Sequence, residues 1–141
     1  MNLEQYKISF NPLGRLECSQ VLDFKDYPIL VVEQSGDCLY LSYLVTYLED
    51  GFQQRVLVPI SPSRLLEVQM GALKVRRAFS CPEGGAVFVL NCHPKTEEVK
   101  DAFLVPGSEF EKINPIVDDY TVYAPPEVHL DYGQVAAQAM A

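Results

Sequence analysis

The chain has 141 residues, 48% of them hydrophobic and 11% aromatic, which is the size of one ordinary domain with enough apolar surface to offset chain entropy. Its formal net charge is −8, from 19 acidic and 11 basic side chains; that balance disfavours direct nucleic-acid binding, which draws on basic groups that displace counterions. No run approaches the roughly eighteen apolar residues of a membrane helix, and "MNLEQYKISF" lacks the basic start, apolar core and cleavage site of a signal peptide, so the expected location is the cytoplasm, away from any membrane.

Taken in chain order, Leu3 to Phe10 and Leu16 to Leu22 are short mixed runs separated by "NPLG", a turn signal, and together they predict an opening hairpin. "PILVVE" is a β-branched run bounded by Pro28 and by Ser35-Gly36-Asp37. In the next run Leu39, Leu41, Tyr43, Val45 and Tyr47 recur every second residue, against Tyr40, Ser42 and Thr46; this is the pattern of a half-buried strand, with Leu44 out of place on the polar side. "QRVLVPI" follows the "EDG" corner and should pair back on it. Residues 27–60 therefore read as a three-stranded antiparallel meander.

After Ile60 the period changes. Ser61 suits an N-cap and Pro62 a first helical position, so "SPSRLLEVQMG" predicts a short helix ended by Gly71, with Leu65, Leu66 and Met70 toward the sheet. "ALKVRRAF" reads as a short turn or edge strand, and its Lys74, Arg76 and Arg77 as a solvated basic face. "CPEGG" is a turn, "AVFVLNC" a central strand, and "DAFLVP" and "DYTVY" could each add another. The expected class is α+β: an antiparallel meander of about five to six strands with one or two short helices on one face. Residues 1–105 form the compact domain in this reading, and residues 106–141 an acidic, Pro- and Tyr-containing extension that docks on the domain or on a partner.

The sequence offers few chemical motifs. Cys18, Cys38, Cys81 and Cys92 are far apart and form no CxxC unit, so reduced, mostly buried thiols are expected. Cys92 and His93 are adjacent and would point to opposite faces of a strand, a poor arrangement for metal ligands. There is no GxSxG elbow, phosphate loop or HExxH, and no cofactor or metal is expected. Cys81 or Cys92 with His93 is the one nucleophile and base pairing the chain permits. Glu49-Asp50, Glu97-Glu98 and Asp118-Asp119 read as solvated loop charge rather than acid and base pairs.

The enriched type is tyrosine, eight residues with no Trp. From Asp101 onward seven acids accompany one base, Lys112, and Asp118, Asp119, Tyr120, Tyr123, Glu127, Asp131 and Tyr132 form an acidic-aromatic segment suited to a protein partner with a basic surface. The blocks "PILVVEQSGDCLYLSYLV", "RVLVPISPSRLLEV" and "RRAF" resemble a family of small uncharacterised bacterial proteins classed as a domain of unknown function. The resemblance implies a bacterial cytoplasmic α+β module and carries no activity with it.

The leading expectation is a non-catalytic protein-binding module, an accessory, immunity or regulatory protein that uses the acidic-aromatic segment. The alternatives are a small Cys/His hydrolase or transferase and an acidic nucleic-acid mimic that inhibits a nucleic-acid-binding enzyme. The exposed strand edges of a meander also admit self-association.

Overall fold

The computed structural model describes residues 3–9, 11–113, 117 and 119–126. Seven strands form one antiparallel sheet: β1 (Lys7–Ile8), β2 (Glu17–Lys25), β3 (Tyr27–Ser35), β4 (Cys38–Tyr47), β5 (Gln53–Pro59), β6 (Ala86–Cys92) and β7 (Val99–Pro106), in the order β1-β7-β6-β5-β4-β3-β2. The sheet thus has more strands than the five to six expected, and the 27–60 meander forms its β5-β4-β3 part. "AVFVLNC" is interior, and "DAFLVP" lies within β7 beside it.

Three short helices, α1 (Pro62–Gln69), α2 (Val75–Ser80) and α3 (Gly107–Ile113), cover one face. Beneath them Leu30, Val32, Leu41, Tyr43, Val56, Val58, Val87, Val89, Phe103 and Val105 alternate along five strands and meet Leu65, Val68, Val75, Phe79 and Phe110. Fully burying one such side chain stabilises by about 1.5–3 kcal/mol. Phe79 is 0% exposed and stands edge-on to Tyr43 with ring centroids 6.3 Å apart.

Helix α1 starts as its sequence requires, with the Ser61 hydroxyl accepting from the Arg64 amide and Pro62 at the first position. It is rotated from the expected facing, however. Leu65, Val68 and Gln69 are buried, whereas Leu66 and Met70 are 46% and 45% exposed. Gln69 tolerates burial because its Nε2 donates to Gln20 Oε1 at 2.8 Å. Residues 75–80 form a helix rather than a turn or edge strand. The reason is topological: β5 pairs directly with β6, so no sheet edge is open to a strand there, and Val75, Ala78 and Phe79 reach the core at helical spacing.

The opening hairpin does not form. Its "NPLG" turn exists, with Asn11 Oδ1 accepting from the Leu13 amide and Gly14 at φ 68, yet β1 pairs with β7 and β2 with β3, at opposite edges. Phe10 lies outside the described residues. The 9–16 segment must therefore cross the sheet. Six strand gaps of about 4.8 Å would make a flat sheet about 29 Å wide, while nine Cα steps reach at most about 31 Å when straight. A connection that also contains a turn cannot span that, so the sheet curves and shortens the distance between its edges. Register shifts between β2 and β3 and between β4 and β5 are the local devices of such bending.

Candidate functional site

The crossing segment lies on the face opposite the helices, the concave side. Leu13 and Leu16 settle against Tyr40, Leu57, Leu90 and Ala102 in a second, smaller apolar cluster. Strand β4 is buried on both faces from Tyr40 to Leu44, not half-buried as its alternation implies, and Leu44 is an interior residue. The segment does not fill the concavity. A cavity of about 970 Å³ remains, walled by Leu16, Val31, Leu57, Leu90 and Val99 and floored by polar groups.

The floor centres on Arg55, only 7% exposed. Its Nε donates to Ser42 Oγ at 2.7 Å, Nη1 to the Pro28 carbonyl at 3.2 Å, and Nη2 to the Ile29 and Ser42 carbonyls at 3.1 and 3.4 Å. The pairing β3–β4–β5 puts Glu33, Ser42 and Arg55 on one face of three adjacent strands, and the Ser42 hydroxyl also supports the Glu33 carboxylate. Burial pushes the Glu33 carboxyl above its ordinary value, with Arg55 and Ser42 pulling it back. Burial likewise lowers Arg55, which Glu33 partly restores. Guanidinium and carboxyl are thus held one hydroxyl apart, each desolvated and each the other's main charge partner.

Gln53, two residues before Arg55 on the same face, also lines the cavity and is 3% exposed. At the rim Arg15 pairs with Glu97 at 3.4 Å. His93 is fixed there by its turn: Nδ1 accepts from the Lys95 and Thr96 amides, both at 3.2 Å, and the ring stands edge-on to Phe52 at 5.3 Å. Gly51 makes this packing possible. It sits at φ 80, and a Cβ there would lie 2.8 Å from His93 Nε2.

Cys81 and His93 do not converge. They flank opposite ends of β6, about 20 Å apart along seven strand residues. Cys18 and Cys92 line the cavity, and both thiols are raised by burial, the direction opposite to an activated thiolate. The cysteines are free, but Cys18, Cys38 and Cys81 are exposed and Cys92 half-buried, a correction to the buried thiols expected. Among the described residues no group of three His, Cys, Asp or Glu side chains is gathered to hold a metal, and no helix is long and apolar enough to cross a membrane.

The acidic-aromatic segment is placed in part. Asp118, Glu127, Asp131 and Tyr132 lie outside the described residues. Residues 119–126 form an extended strap, without the strand considered for "DYTVY". The strap is fastened to the helical side: the Val75 amide donates to the Tyr120 carbonyl and the Ala124 amide to the Gln69 carbonyl, both at 2.8 Å, and Gln20 Nε2 donates to the Pro125 carbonyl at 3.0 Å. Tyr120, Val122 and Ala124 pack inward. Tyr120 also donates its hydroxyl to Asp23 Oδ2 at 2.8 Å. Asp119 pairs with Lys74 at 3.6 Å, and Arg76 Nε donates to the Val117 carbonyl at 2.8 Å. The basic cluster expected to be solvated therefore receives the chain's own acidic segment. Tyr123 points away, 73% exposed.

Sequence reasoning did not single out Glu33, Ser42, Gln53 or Arg55. Their signal is present: Glu33 and Arg55 are ionisable residues at the ends of "PILVV" and "VLV", on the strand parity opposite the larger core. No protein family, characterised protein or solved structure matches the chain.

Proposed function

We propose that the protein is a non-catalytic protein-binding module that presents its acidic-aromatic strap to another protein with a basic surface. The observation that carries this reading is the alternation along residues 119–126. Inward residues anchor the strap, and Tyr123, the most exposed large hydrophobic residue among those described, is left outward on an ordered backbone. A Tyr held this way offers contact area at little entropic cost, a property of residues that dominate interfaces. The excess of acids from Asp101 onward supplies the complementary charge for a basic partner. In keeping with the resemblance of the middle block, the setting we propose is a bacterial cytoplasm.

The test is affinity capture from native lysate with the full chain and with Tyr123→Ala, compared by quantitative mass spectrometry. The expected result is a partner retained by the full chain and reduced at least about tenfold by the substitution, as for an interface anchor, with an unchanged melting temperature. Equal capture by both proteins, or none by either, overturns the reading.

A further inference from the structure

The concave cavity is separate from the strap and carries its own ligand chemistry. We propose that it binds a small zwitterion, a free α-amino acid with an apolar side chain, with the ligand carboxylate on Arg55 and Gln53 and its ammonium on Glu33.

Three observations lead there. The floor holds one cation and one carboxyl a single hydroxyl apart, so a head group with both signs finds a partner for each. A simple anion would lie against Glu33 and a simple cation against Arg55. The surrounding charge adds no bias toward a polyanion, because Arg15 is already paired with Glu97 and Glu17 also lines the cavity.

Hydrogen-bonding capacity is also left over. Arg55 Nη1 makes one hydrogen bond and retains a second N–H. Gln53 is more than nine-tenths buried, yet no hydrogen bond to its side-chain amide is found among the described residues, and the amide is not sealed from solvent either. Its amide therefore faces the cavity, where it can both donate and accept. An arginine with a purely structural task would account for the bonds to Pro28, Ile29 and Ser42, but not for a buried amide left open beside it.

The walls set the rest of the ligand. Val31, Leu57 and Leu90 offer an apolar surface next to the polar floor, and about 970 Å³ is ample for an amino acid with a large apolar side chain.

Calorimetric titration of the full chain with L-phenylalanine, 3-phenylpropionate and phenethylamine tests this, since the three share one skeleton and differ only in charged groups; L-leucine serves as a second zwitterion. One zwitterion at least should bind, and L-phenylalanine at least about tenfold tighter than either analogue, the scale of one charge-assisted hydrogen bond. Glu33→Gln should weaken zwitterion binding by about the same factor without weakening 3-phenylpropionate, and Gln53→Leu should weaken both. Tyr123→Ala should leave the titration unchanged, so failure here and failure of the strap reading are distinguishable. No saturation by either amino acid below about 10 mM overturns the proposal. So does binding of 3-phenylpropionate or phenethylamine as tight as that of L-phenylalanine, or of the zwitterion unchanged by both substitutions.

Discussion

The two faces of the sheet are built from the same strands and do opposite things. On the convex side alternate residues from β2 to β7 meet three helices and the strap in one large apolar cluster. On the concave side the alternate parity meets one crossing segment, which seats Leu13 and leaves a cavity over Arg55 and Glu33. Helices supply enough side chains to close a face, whereas eight residues of loop do not. The difference teaches where each property resides: stability is concentrated under the helices, and room for a ligand exists where the cover is thin.

The comparison can be broken most strongly at Phe79. Phe79→Ala removes a fully buried ring from α2 and should cost about 3–5 kcal/mol in urea unfolding, at an unchanged slope. A loss below about 1 kcal/mol would mean that the convex face is not the packed one. The concave face should respond next. Arg55→Leu strands the Ser42 hydroxyl, three carbonyls and Glu33, and should cost about 2–4 kcal/mol, with cavity water moderating the loss. Adding Glu33→Leu should recover part of it. Strictly additive losses in that cycle would show that the two charges are not coupled across Ser42.

A smaller effect is expected at the cap of α1, where Ser61→Ala should cost about 1 kcal/mol. The subtlest test contrasts two carboxyls, one on each face. Asp101 sits at the end of the convex face beyond the helices. There Asn91 Nδ2 donates to Oδ2 at 3.0 Å and Lys7 pairs with Oδ1 at 3.2 Å. The hydrogen bond from Asn91, joined by Lys7, holds its acid below the usual 3.8. Its stabilisation is therefore present above pH 3.8 and lost as pH falls through the folded value. Glu33 has the opposite sign, because burial raises its acid above the usual 4.5. Folding favours its protonated form, so the contribution of Glu33 to stability should fall as pH rises past 4.5. Against the wild type, Asp101→Asn should lose ground with rising pH and Glu33→Gln should gain it; parallel curves for the two variants would erase the electrostatic distinction between the faces.

Local signals gave part of this arrangement from residue types alone. The alternation of Leu39, Leu41 and Tyr43 determined a strand and its core face, since side chains on a pleated backbone alternate regardless of context. Ser61-Pro62 determined where α1 starts, because cap and first-turn chemistry is local. The "EDG" corner determined that β5 returns on β4. These rest on neighbours in the chain, and the sequence contains the neighbours.

What only the tertiary structure decided was the partner of each run. Leu3 to Phe10 and Leu16 to Leu22 read as a hairpin in isolation, yet the strands within them close opposite edges of the sheet: β2 turns back on β3 through the single residue Asp26, and β1 pairs with β7, a distant partner that no local pattern encodes. That divergence sends residues 9–16 across the concave face and covers Tyr40, Leu57 and Leu90. It also turns Arg55 and Glu33 from charges at the ends of apolar runs into the floor of a cavity. The basic Lys74 and Arg76 read as a solvated face by themselves, and it is a segment some forty residues later that lies on them. Strand identity follows from side-chain parity along the chain. The second face, and the site it holds, follows from which distant segment covers it.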